Sequence, residues 1–351
     1  MSTPPPKIET IRNGLIGSLN DFVQDAGFHS HVNLVADLVY SLAEYREEDI
    51  PFYPSVYLVS NAGDSETLNV LAPGAERVVL GSADSIDCCK RILKDSAALA
   101  DGGWSIFVVV SDAQPKYGLF RSELLPFSRS SSDHMADPST DSGKALLVRN
   151  CSKNCVELLA SDGKRMEFGL TAARPTAEST SEAFWKLANS ATELISKELQ
   201  EASIGYFVRL IALICQRSHG TIIVVLEHMS VPEEFQDGVI LDEPIDLLKS
   251  FEELQVDEKA HSLSSLIAKE SLLRGIVQSD GITVLNKLGQ VVAFRVFVKP
   301  NESEIGALAN EVIEGGARSR AFQLLTLRLG AQLACAFFRS QDGQTKCVVK
   351  Q

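Results

Sequence analysis

The run Thr221 to Leu226 reads TIIVVL and contains no charged residue. β-Branched and aliphatic residues at consecutive positions fill both sides of a pleated surface, so the run predicts a strand buried on both faces. Such a strand needs layers above and below it, which places it inside an α/β domain. Trp104 to Ser111 (WSIFVVVS), in the first half of the chain, reads as another strand. With 351 residues, the chain has room for two domains or three.

Other elements follow from periodicity. Ile8 to Val23 and His31 to Tyr45 carry apolar residues at helical spacing, as does the stretch from Asp84 to Ala100. Strands are expected at Ser55–Ser60, Arg77–Leu80, Tyr117–Arg121, Ala145–Arg149, Val156–Leu159 and Arg165–Leu170, with Asp162-Gly163 turning the last pair. Phe127 to Lys144 is rich in Ser and Asp and nearly free of large apolar residues, so it reads as a mobile loop. Pro175 to Cys215 is mostly helical. The organisation expected is a tail over 1–7, an α+β domain over 8–177 that serves sensing or interaction, a helical connector over 178–217 and an α/β domain over 218–351. No internal repeat stands out.

Charge and cysteine usage narrow the function classes. A formal charge of −13 argues against a broad grip on DNA or RNA, which takes a basic surface. A few local arginines can still hold a small anion. The N-terminal MSTPPPK has no signal-peptide pattern, and the most apolar helical stretch, Ile204 to Cys215, is too short for a bilayer and carries Arg209. The seven cysteines show no C-x2-C pairs at zinc spacing and read as buried or idle thiols of a cytoplasmic protein. His29 and His31 form an H-x-H pair in a helix–helix connection without an acidic trio, and read as loop residues.

Chemistry concentrates in the last third. Gly315-Gly316 opens a helix whose first turn holds Ala317, Arg318, Ser319 and Arg320. A helix N-terminus favours negative charge, glycines let backbone N–H groups come close to it, and guanidinium forks match phosphate oxygens. Two arginines at that end oppose the helix dipole, which an anion would relieve. Upstream, Asp280-Gly281-Ile282 leads into a strand, where a carboxylate can hold a divalent cation or a ribose hydroxyl. The chain closes with a strand, the turn Ser340-Gln341-Asp342-Gly343 and a last strand.

These elements occur in the order of the diadenylate cyclase domain family, which the segment from Gly220 to Val349 resembles. The family's Asp-Gly-Ala motif corresponds to Asp280-Gly281-Ile282. Its Gly-Thr-Arg-His-Arg-Ala motif corresponds to Gly316-Ala317-Arg318-Ser319-Arg320-Ala321, and its acidic closing turn to Ser340 through Gly343. The resemblance implies a mixed central sheet flanked by helices. It implies an adenine nucleotide or cyclic dinucleotide bound at Gly281, Ile282, Gly315, Gly316, Ala317, Arg318, Ser319 and Arg320. In an active member, Asp280 would be catalytic, Asp280 and Asp342 would hold Mg²⁺ or Mn²⁺, and two domains, as in a homo-oligomer, would face each other to condense two ATP into cyclic di-AMP.

This sequence departs from that pattern. Ser319 replaces the motif histidine, Ala317 a threonine, Ile282 an alanine, and Gln341 an acid. A phosphate grip is retained while part of the chemistry is lost. The leading expectation is therefore a bacterial signalling protein that senses a nucleotide without turning it over. An active diadenylate cyclase is the alternative, and a scaffold with an empty pocket the third reading.

Overall fold

The computed structural model describes residues 8–60, 64–83, 88–111, 114–122, 130–137, 143–152, 154–169, 179–256, 260–309, 316–341 and 343–350. The chain divides into two compact units, Met1–Ala173 and Arg174–Gln351.

The first unit opens with helices α1 (Ile8–Asp25) and α2 (Val32–Leu42), joined by a 3-10 turn over His29–His31. A small hairpin of β1 (Arg46–Glu47) and β2 (Ile50–Pro51) follows. Then come β3 (Ser55–Ser60), α3 (Asp64–Leu71), β4 (Arg77–Ser82), α4 (Cys88–Ser96), β5 (Trp104–Val110), β6 (Lys116–Arg121), α5 (Ser131–Ala136), β7 (Ala145–Ser152), β8 (Cys155–Ala160) and β9 (Arg165–Gly169). Seven strands form one sheet in the order β4-β6-β5-β3-β7-β8-β9. Only β3 and β5 run parallel; every other pairing is antiparallel. Val56, Leu58, Ile106 and Val108 bury one face against α1, α2 and α4. Tyr57, Val59, Phe107 and Val109 bury the other against Leu68 and Leu71 of α3 and Met135 of α5.

The second unit comprises α6 (Thr180–Ala191), α7 (Lys197–Arg217), β10 (Thr221–Leu226), β11 (Phe235–Gln236), β12 (Val239–Asp246), α8 (Leu247–Val256), α9 (Ala260–Gln278), β13 (Ile282–Leu285), β14 (Gln290–Val298), α10 (Glu302–Ala309), α11 (Ala317–Thr326), β15 (Leu333–Arg339) and β16 (Thr345–Val349). Its sheet runs β11-β14-β13-β10-β15-β16, with β12 also on β14. All six residues of β10 are buried, as the opening run of the sequence requires. Burying each such aliphatic side chain contributes about 1.5–3 kcal/mol, which makes β10 the anchor of the unit. Again one pair, β10 and β13, is parallel and its neighbours are antiparallel.

The two sheets therefore share one strand order. Reading β3, β4, β5, β6, β7 and β8 against β10, β12, β13, β14, β15 and β16 reproduces every pairing and every direction. Each unit is led by two helices, and a helix after its outer hairpin (α5 or α11) covers one face. Each unit has a mixed sheet flanked by helices, an α/β arrangement in the general sense. The repeat is absent from the sequence pattern because it resides in long-range pairing, not in matched residues.

Other expectations are refined. The helices expected as a connector are part of the second unit: Phe184 of α6 meets Phe337 of β15 with ring centroids 5.9 Å apart, and Tyr206 of α7 stacks on Phe251 at 4.7 Å. The stretch expected as a mobile loop contains α5. Ser130 and Asp133 close a capping box there, and Met135 is fully buried. After β14, α10 carries Glu302 and Glu304 in its first turn, near the helix N-terminus. The tail over 1–7 lies outside the described residues. Among the described residues, no helix is long and apolar enough to cross a membrane.

Candidate anion-binding site

Three of the sequence motifs converge at the N-terminal ends of the parallel strands β10 and β13. Gly281 directly precedes β13 with φ +100, and a Cβ there would lie 2.8 Å from the backbone of Arg295 in β14. Both facts demand glycine. The close approach presses the Asp280-Gly281 corner against the neighbouring strand and sends the Asp280 side chain outward. Gly220 directly precedes β10 with φ +97, and a Cβ there would lie 3.0 Å from the Arg339 carbonyl and 3.1 Å from the Gln341 nitrogen. That contact seats the turn beginning at Ser340 beside His219 and Gly220.

Helix α11 brings the arginines. Gly316 is its N-cap, with extended backbone and no side-chain cap. A Cβ at Gly316 would meet nothing within 4 Å, so folding alone does not require glycine here, and the space over the helix end is open. Phe322 and Leu325 hold the helix on the sheet by packing with Ile222, Ile282 and Phe338, the rings of Phe322 and Phe338 stacking at 5.2 Å. From this seat Arg318 donates through Nη2 to Asp280 Oδ1 at 3.1 Å and through Nη1 to the His219 carbonyl at 3.3 Å. Arg320 is exposed in the same turn and Ser319 is half-buried.

The structure thus brings together Asp280, Gly281, Gly316, Ala317, Arg318, Ser319 and Arg320. Ile282 behaves differently: it is 2 % exposed and packs beneath α11, so its side chain belongs to the core rather than to a ligand surface. Gly315 and Asp342 lie outside the described residues. The His219 carbonyl and Gly220 join the site without having been expected there. Their signal in the sequence was a glycine directly ahead of an all-apolar run.

The ion pair is open to water, with the side chains of Asp280 and Arg318 74 % and 41 % exposed. Pairs of this kind contribute about 0–1 kcal/mol, so a better anion can displace the carboxylate at little cost. The orphan N–H groups of the α11 N-terminus add donors beside it. Two hollows lie elsewhere. One, of about 370 Å³, is lined by Glu234, Glu304 and Arg328 at the other end of α11; the second, of about 810 Å³, lies between the β1–β2 hairpin and α4 of the first unit.

A divalent hard cation prefers about six oxygen ligands, usually including more than one carboxylate. Asp280 instead faces a guanidinium, and among the described residues it belongs to no cluster of three metal-ligating groups. Asp342, the other carboxylate expected to hold Mg²⁺ or Mn²⁺, lies outside the described residues. His29 and His31 likewise join no such cluster among the described residues.

Comparisons of the chain with protein families, with curated proteins and with solved structures found no match.

Proposed function

We propose that the second unit binds the phosphate of an adenine nucleotide or a cyclic dinucleotide at the N-terminus of α11, as a sensor that does not turn its ligand over. The observation that carries this reading is the Asp280–Arg318 pair. Arg318 is held by the His219 carbonyl so that its fork points at a carboxylate, and a phosphate oxygen can take that carboxylate's place. Arg320 and the backbone donors of the helix end supply the rest of the grip. The adenine preference comes from the resemblance to diadenylate cyclase domains; the phosphate preference rests on the arginines as well.

Ser319 in place of the motif histidine favours binding over catalysis. The test is to mix the purified full-length chain with ATP or cyclic di-AMP, with and without Mn²⁺. Heat of binding and products by mass spectrometry are then recorded together. Saturable binding without product supports the proposal. A cyclic dinucleotide product lost in Asp280→Ala would establish the cyclase instead, and neither binding nor product would leave a scaffold.

A further inference from the structure

A second constellation lies in the first unit, at the turn between β7 and β8. Cys151 Sγ lies 3.3 Å from Cys155 Sγ, and a carboxylate oxygen of Glu167 on β9 completes a set whose ligand atoms all lie within 4.8 Å of one another. Among the described residues it is the one group of three potential metal ligands. We infer that Cys151, Cys155 and Glu167 bind a thiophilic divalent cation of the zinc class.

The geometry suits that ion. Tetrahedral zinc with sulfur at about 2.3 Å sets its thiolates about 3.7 Å apart, a few tenths of an ångström from what is present. The turn is built to hold the pair. A register shift between Asn150 and Ser152 and a left-handed Asn154 (φ +57) turn both sulfurs to one point. The Asn150 side-chain amide donates to the carbonyls of Leu42 and Ala43 at 3.0 and 3.1 Å, and the Asn154 N–H to that of Ala43 at 3.3 Å. The end of α2 thereby fixes the chain on both sides of the turn. Three protein ligands leave a fourth position for water or an added ligand.

The charges agree. Glu157 and Glu167 stand directly opposite each other on β8 and β9, an arrangement that like charges disfavour. Glu157, fully buried, is neutralised by Arg149 at 2.7 Å and Arg165 at 3.2 Å. Glu167 and two thiolates offer anionic ligand atoms of the kind a divalent zinc-class cation takes. Cys335 and Cys347 also lie 3.3 Å apart, but among the described residues no third ligand group joins them. They serve as an internal control.

The test uses the reduced full-length chain and Co²⁺ as a spectroscopic stand-in for Zn²⁺. One Co²⁺ per chain with thiolate-to-cobalt absorption, displaced by equimolar Zn²⁺, is expected. Cys155→Ser, at a partly exposed position, should lose the absorption, and Glu167→Gln should weaken binding about tenfold or more, at the low end of what metal-site partners contribute. Without any variant, Zn²⁺ should slow alkylation of Cys151 and Cys155 while leaving Cys335 and Cys347 unchanged in peptide mapping. No charge-transfer band, a band that survives Cys155→Ser, or a Cys151–Cys155 disulfide forming in air despite equimolar Zn²⁺ would each overturn the assignment.

Discussion

Asp280 and Arg318 stand 38 positions apart in the sequence and meet at 3.1 Å, joining the corner before β13 to the first turn of α11. The pairing makes Asp280 a stand-in anion for the arginine. The site's behaviour follows from how easily that stand-in is exchanged.

Removing the arginine should remove the grip. Hydrogen bonds to charged groups contribute about 1.5–3 kcal/mol, so Arg318→Ala should weaken phosphate-ligand binding about tenfold or more. Arg320→Ala should weaken it less, because among the described residues Arg320 makes no fixed side-chain contact. Calorimetric titration with ATP and with cyclic di-AMP reads both, and thermal unfolding should be nearly unchanged in each variant.

Two glycines at the site should separate folding from binding. Gly281→Ala places a Cβ 2.8 Å from the Arg295 backbone at φ +100, and strain of this kind costs about 1–3 kcal/mol. Its melting temperature should fall. Gly316→Ala meets nothing and adopts an ordinary φ, so stability should hold while ligand affinity drops if the anion sits over the helix end.

The reading of the sequence succeeded where information is local. TIIVVL announced a doubly covered strand, and Asp162-Gly163 announced a hairpin, because burial and turn chemistry are written in consecutive residues. Helix α5 was hidden among polar residues that cap it and leave Met135 as its one large buried apolar side chain. The shared strand order of the two sheets was hidden because it depends on which strands pair, not on their side chains. At the site, Arg318 and Asp280 were legible as separate motifs, but their contact was not, since nothing in either segment encodes a partner 38 residues away. Ile282 shows the reverse: its place in a motif suggested a ligand, whereas β13 is buried throughout and the Ile282 side chain packs in the core.

The second unit should also have a defined acid limit. Arg328 and Glu304 form a nearly buried pair at 2.8 Å. Burial alone would raise the Glu304 carboxyl, but Arg328 and the Asn301 N–H hold it below its ordinary value; Lys350 and then Lys287 do the same for Glu227. Groups whose folded value is lowered stabilise fully above the unfolded value and lose that contribution as pH falls through the folded one. Urea unfolding from pH 7 to pH 3 should therefore show stability steady above the ordinary glutamate range and falling below it. Glu304→Ala should cost about 3 kcal/mol at neutral pH, because it leaves Arg328 buried and unpaired, and should flatten the acid slope.

The measurement that bears most directly on the stand-in role of Asp280 is metal-free calorimetric titration of Asp280→Asn beside the wild type and Arg318→Ala, with ATP and cyclic di-AMP as ligands. Freeing Arg318 from its carboxylate should leave affinity equal or higher in Asp280→Asn, while Arg318→Ala loses it. Binding that collapses in Asp280→Asn, or that is indifferent to Arg318→Ala, would contradict the account.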